Sequence, residues 1–242
     1  MTTLDSLPAL RPHGALEVGT APLDDLGTYR RLLAGAPAAG RCPVLLSERA
    51  LGSVRPRSDL SAVRAAVGEC DVGAVLAERW PGGCVHHPGC LAPFGAVFAG
   101  LAPPTPGLAL LTPAEVVESA VEEADVPGDP LLAVVAVTRP ADVPAAIGWS
   151  GTAGSRQPWD DPAALSAVLR SWEDRFGAVL VRIGRASIEL AVAAPPWERT
   201  ECQAIAAEHY AFCDDTYTGN PGTLRDYADL LRGNTRWSFW WD

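Results

Sequence analysis

The chain closes on Arg236-Trp237-Ser238-Phe239-Trp240-Trp241-Asp242, and no other stretch limits the possible folds so tightly. Each large aromatic side chain buries roughly 150–250 Å² when it packs, so leaving this group in water is costly. Successive side chains of a strand alternate between its two faces. As a strand, the segment puts Trp237, Phe239 and Trp241 on one face and Ser238, Trp240 and Asp242 on the other. The pattern predicts a terminal strand docked into a sheet.

The residues before it supply such a sheet. Leu131 to Val137 is an apolar run of strand length. Asp160-Asp161-Pro162 is a helix start and Gly177 a helix stop, with Leu165, Val168, Leu169 and Trp172 on the inward stripe. Ala178–Ile183 and Ser187–Ala193 read as two strands joined by a tight turn at Gly184-Arg185. Trp197 to Phe212 and Thr223 to Leu231 read as helices. The resulting order predicts an α+β fold, a largely antiparallel sheet with packed helices in the C-terminal half.

The N-terminal half has weaker patterning and predicts a smaller α/β unit. Residues up to about 30 read as weakly ordered, with a short helix around Tyr29 to Leu33. Cys42–Leu46 reads as a buried strand, Ser58 to Val67 as a capped helix and Val72–Leu76 as a second strand. Residues 81–107 are rich in Pro and Gly and read as a surface loop, and Thr112-Pro113-Ala114-Glu115 opens a helix to Ala124. Val126-Pro127-Gly128-Asp129-Pro130 is the natural linker. It divides the chain into an N-terminal region, 1–125, and a Trp-rich domain, 126–242, which holds seven of the eight tryptophans.

The net charge of −10 excludes some partners. Residues 1–125 carry 9 Arg and 14 acidic residues, and residues 126–242 carry 10 Arg and 15, so no basic face concentrates in either half. Nucleic acid and anionic membrane both require such a face. A basic protein partner is compatible with this charge. The start, Met1-Thr2-Thr3-Leu4-Asp5, has neither the basic nor the apolar region of a secretion signal. A cytoplasmic protein with reduced thiols at its 6 cysteines is the expectation.

Four constellations can carry chemistry. Cys84, His86, His87 and Cys90 place two thiols and two imidazoles within seven positions, a set suited to zinc or copper. Their spacing matches structural zinc sites poorly, and a plain loop segment is the competing reading. His209 and Cys213 are i and i+4 on a helix, where an imidazole can lower a thiol's pKa for catalysis. The same two residues equally suit core positions. The small residues from Gly148 to Ser155 offer backbone N–H groups for an anion or simply form an ordered loop between Trp149 and Trp159. Asp242 carries two carboxylates, needing solvent or a cation such as Arg139, Arg225 or Arg236. Trp149, Trp159, Tyr210, Asp214, Trp240 and Asp242 are the candidate binding residues.

Several motifs together resemble an uncharacterised bacterial family known only as a domain of unknown function. They are Arg139-Pro140-Ala141-Asp142-Val143-Pro144-Ala145-Ala146-Ile147-Gly148-Trp149, Leu169-Arg170-Ser171-Trp172-Glu173-Asp174-Arg175-Phe176-Gly177-Ala178, Ala206-Ala207-Glu208-His209-Tyr210-Ala211-Phe212-Cys213 and the aromatic terminus. They run in the family's order over about residues 130–242, with a looser likeness upstream at Ala77-Glu78-Arg79-Trp80 and Leu91-Ala92-Pro93-Phe94-Gly95. The resemblance implies that Trp149, His209, Cys213 and the terminus belong to one shared design, and it brings no activity.

Two functions follow as expectations. One is an intracellular protein-interaction module, of an immunity or regulatory kind, that needs no cofactor. The alternative is a thiol- or metal-dependent enzyme using His209, Cys213 and a nearby acid, with zinc as the candidate metal.

Overall fold

The structure, a computed structural model, describes residues 9–22, 26–81, 89–105, 131–155, 157–215 and 222–242. The expected helix at 112–124 and the linker at 126–130 lie outside the described residues.

Among the described residues, seven strands form a single mixed, mostly antiparallel sheet: β1 (Leu10–His13), β2 (Leu16–Pro22), β3 (Cys42–Leu46), β4 (Leu131–Val135), β5 (Ala178–Ile183), β6 (Ser187–Val192) and β7 (Arg236–Trp240). The spatial order is β1-β2-β4-β3-β5-β6-β7. Every pairing is antiparallel except β3 with β5. The fold is α+β. The sheet draws on both sides of the linker: β3 lies between β4 and β5. All five residues of β3 are buried, as a continuous apolar run in a central strand requires.

Helices cover both faces. They are α1 (Leu26–Ala39), α2 (Leu60–Glu69), α3 (Val72–Arg79), α4 (Val143–Ile147), α5 (Pro162–Phe176), α6 (Arg199–Phe212) and α7 (Leu224–Leu231). On one face, Tyr29, Leu32 and Leu33 of α1 pack on Leu45, Leu132, Val179 and Val181. On the other, α5 and α6 bury Trp172, Phe176 and Phe212 against Trp237 and Phe239 of β7.

The expected punctuation is in place around α5. The Asp161 carboxylate accepts from the Ala163 N–H at 2.8 Å, Pro162 opens the helix, and Gly177 ends it at φ +60°. A Cβ at Gly177 would lie 2.9 Å from Ala193 Cβ, so glycine also meets a packing need there. Asp59 caps α2 in the same way, accepting from Ala62 at 2.9 Å.

Two readings of the N-terminal half are corrected. Val72–Leu76 is not a strand; the segment is α3, because Asp71 caps it through Ala74 N–H at 3.1 Å and Ala, Leu, Glu and Arg favour a helix. The residues before 30 are not merely loose. β1 and β2 form a hairpin turning at Gly14, φ +65°, and Leu16 and Val18 of β2 are buried. The short helix expected around Tyr29 extends to 14 residues.

The terminal strand behaves as its alternation predicts. β7 pairs antiparallel with β6, placing Trp237 opposite Leu190 and Phe239 opposite Ile188. Trp237, Phe239 and Trp241 are buried, while Trp240 is exposed.

Candidate functional site

Helix α6 builds the centre of the C-terminal half. Cys202, Ile205, Ala206, His209 and Phe212 recur every three or four residues and form its buried stripe. The stripe brings His209 into a box of rings. Trp237 stands 4.4 Å away, Trp172 and Phe239 both 4.9 Å, each edge-on to the imidazole. Trp172 in turn stacks on Phe239 at 5.3 Å and 16°.

One polar contact enters this box. His209 Nδ1 lies 2.9 Å from the Tyr227 hydroxyl, supplied by α7. His209 Nε2 is buried with no hydrogen-bond partner. Burial, with the Arg175 charge as a smaller cause, holds the imidazole's pKa well below its usual range. It is a neutral ring at neutral pH. Burial raises the Tyr227 phenol in the opposite direction.

Glu208, the preceding residue, turns to a different face of α6 and is fully buried. It is satisfied on both oxygens. Arg175 Nη1 donates to Oε1 at 2.7 Å and Nη2 to Oε2 at 2.6 Å, while the Trp172 indole N–H donates to Oε2 at 2.8 Å. The Ala102 N–H completes the set on Oε1 at 2.6 Å. Sequence reasoning assigned Glu208 and Arg175 no role. The available signal was that Trp172 and Arg175 are i and i+3 on α5 and so share a face.

Cys213 follows α6. Its N–H donates to the His209 carbonyl at 2.8 Å, and its thiol donates to the Trp240 carbonyl at 3.0 Å. The two expected catalytic residues are therefore neighbours through the backbone, while imidazole and thiol point to different partners.

The candidate binding residues disperse. The Trp149 indole is buried, donating to the Gly184 carbonyl at 3.1 Å. Trp159 is buried, donating to the Phe212 carbonyl at 3.0 Å beneath the Arg79 guanidinium at 3.9 Å. Arg79 itself donates to the carbonyls of Gln157, Pro158 and Ala211. Tyr210 is buried edge-on to Trp80 at 5.8 Å. Asp214 is half-buried, and Trp240 and Asp242 are exposed. The Asp242 N–H donates to Asp215 Oδ2 at 3.2 Å. The loop after Gly148 is ordered: Thr152 Oγ1 accepts from Trp159 N–H at 2.8 Å, and Ser155 donates to Asp215 at 2.8 Å.

Of the candidate metal ligands, Cys84, His86 and His87 lie outside the described residues. Cys90 is buried and disulfide-bonded, so it offers zinc no thiolate. Cys42, Cys70, Cys202 and Cys213 carry thiols. Burial pushes the Cys42 thiol up to about 12, which makes it inert. Among the described residues, no group of three or more His, Cys, Asp or Glu is arranged to hold a metal ion, and no helix is long and apolar enough to cross a membrane. A surface cleft of about 360 Å³ opens between Arg57, Asp59, Ala62, Asp161 and Pro162, and another of about 350 Å³ at Arg11, His13, Leu51 and Leu131. Neither is lined by His209 or Cys213.

Residues 131–242 match the family model of a domain of unknown function, DUF4253. The match opens on the first residue of β4 and contains the ring box, Glu208 and the terminal strand. No curated protein and no solved structure matches the chain.

Proposed function

We propose that the chain is a protein-interaction module. The observation that carries this reading is the most exposed large aromatic side chain among the described residues, set beside an exposed leucine. Trp197 is 52% exposed just before α6, and its six-membered ring lies against Gly233, where a Cβ would stand 2.7 Å from Cη2. Leu230, on the last turn of α7, is 59% exposed. Around them Arg199 and Asp229 form a loose, exposed pair at 3.9 Å. A solvent-facing Trp with a polar rim is the composition of a partner surface. The net charge of −10 favours a basic partner, and neutralising or regulating such a protein is the finer role we assign.

The thiol-enzyme alternative has less support. A nucleophile and its base need mutual hydrogen bonding and access to substrate. The imidazole of His209 is instead bonded to Tyr227 and enclosed by rings, and the Cys213 thiol faces Trp240.

Affinity capture at native expression level, compared between the unsubstituted chain and Trp197→Asp, tests the module. The expected result is one stoichiometric protein, lost by at least tenfold in the variant at unchanged melting temperature. A partner retained in full by Trp197→Asp, or none at all, sinks the reading.

A further inference from the structure

Leu101-Ala102-Pro103-Pro104-Thr105 forms neither helix nor strand. Its sequence nevertheless restricts its backbone. A proline ring fixes φ near −65°, and a residue before proline is pushed to extended conformations. Pro103 and Pro104 carry the ring, and Ala102 and Pro103 each precede one. Both restraints favour polyproline II, a left-handed helix of three residues per turn with no internal hydrogen bonds.

Burial follows that period. Ala102 is 3% exposed and Thr105, three residues on, is half-buried, while Leu101, Pro103 and Pro104 are exposed. A helix of three residues per turn has three edges. The edge of Ala102 and Thr105 lies against the protein. The edge of Leu101 and Pro104 and the edge of Pro103 face solvent. The inner edge is firmly held: Ala102 N–H donates to Glu208 Oε1 at 2.6 Å, and Arg175 Nη1 donates to the Ala102 carbonyl at 2.8 Å. Upstream, Phe94 and Phe98 pack on the core. Among the described residues, the carbonyls of Leu101, Pro103 and Pro104 accept no hydrogen bond.

This is the form in which proline-rich ligands are recognised. Two edges of the helix enter a groove lined by aromatic side chains, and Tyr and Trp donors can reach exposed carbonyls. A ligand already held in its bound conformation loses little freedom on docking. Residues 91–105 contain no charged side chain, so the surface suits an apolar groove and needs no charged anchor in it. We propose that residues 101–104 are a proline-type ligand displayed by the fold, and that its partner is a protein module with an aromatic-lined, proline-recognising groove. The core holds one edge of the ligand so that the other two stay outward. The Trp197 surface is a separate feature and carries no part of this assignment.

Titration of the unsubstituted full-length chain into purified, isotope-labelled SH3, WW and EVH1 modules tests the proposal. At least one module is expected to bind, with chemical-shift changes centred on its groove aromatics and reversed by excess decaproline. Pro103→Ala combined with Pro104→Ala is expected to weaken binding at least tenfold, and Leu101→Asp, which keeps both prolines, at least fivefold. Near-UV circular dichroism establishes that each variant keeps its aromatic packing, and the decaproline competition reads the site without any variant. A free peptide of residues 99–105 is expected to bind at least threefold more weakly than the folded chain, because it must be ordered on docking. Binding by none of the three modules, binding that decaproline leaves intact, or folded variants that bind like the unsubstituted chain overturns the ligand role. A free peptide that binds as tightly as the chain overturns its display by the fold. Each of these outcomes leaves the Trp197→Asp capture result standing, so the two readings fail separately.

Discussion

His209 meets Tyr227 through Nδ1 at 2.9 Å, and its other ring nitrogen meets no hydrogen-bond partner. A protonated imidazole needs acceptors on both nitrogens. This ring has room for a neutral form only, so its depressed pKa becomes a dependence of stability on acid. Above the unfolded value of about 6.5 the neutral ring costs nothing. As pH falls below that value, the unfolded chain binds a proton that the folded chain refuses, and stability drops by up to about 1.4 kcal/mol per pH unit. Urea denaturation between pH 5 and 7.5 should show this slope, and His209→Gln should flatten it. A slope unchanged in the variant assigns the effect to other groups.

The buried ion pair predicts an asymmetry of cost. Glu208→Ala strands the Arg175 guanidinium and should destabilise by about 3–5 kcal/mol. Arg41→Ala breaks an exposed pair with Glu17 and should cost about 1 kcal/mol or less. Equal losses in chemical denaturation would contradict the burial argument.

Phe239→Ala removes the ring on which Trp172 stacks and should cost about 3–5 kcal/mol. Trp240→Ala, on the outward face of the same strand, should stay within about 1 kcal/mol. Melting temperatures of the two variants check the contrast, and a more harmful Trp240→Ala would refute the assigned alternation.

Two glycines should respond oppositely to alanine. Gly35 lies within α1 with open space where a Cβ would go, so Gly35→Ala should stabilise by about 0.4–1 kcal/mol. Gly148 ends α4 at φ +56° and a Cβ there would collide with the Arg55 carbonyl, so Gly148→Ala should cost more than that gain. Thermal denaturation of both variants decides.

Local signals carried much of the fold. Asp161-Pro162 and Gly177 bracket α5 because caps and stops are chemistry between near neighbours. Cys42–Leu46 was legible as a short continuous apolar run, buried on both faces, and the aromatic terminus because burial of one face imposes a period of two. Val72–Leu76 misled because two valines outweighed the cap at Asp71. The site was less legible. Trp149, Trp159 and Tyr210 read as binding residues and lie in the core, since a ring's size says it wants cover and not which cover. Arg175 and Glu208 stand 33 residues apart, a pairing only the folded chain creates. Trp197 read only as the start of a helix, because its contact with Gly233 joins residues 36 positions apart and exists only in the folded chain.

The place of β3 separates the residues that match the family model from those the sheet needs. The family match begins at residue 131, yet the gap between its first two strands is filled by residues 42–46. Excised at that boundary, the remaining segment would leave β4 unpaired on both sides and β5 unpaired on one, raw edges bordered by apolar side chains and open to any other chain. In this chain the matched region therefore draws both hydrogen-bonding partners of β4 from residues that precede it.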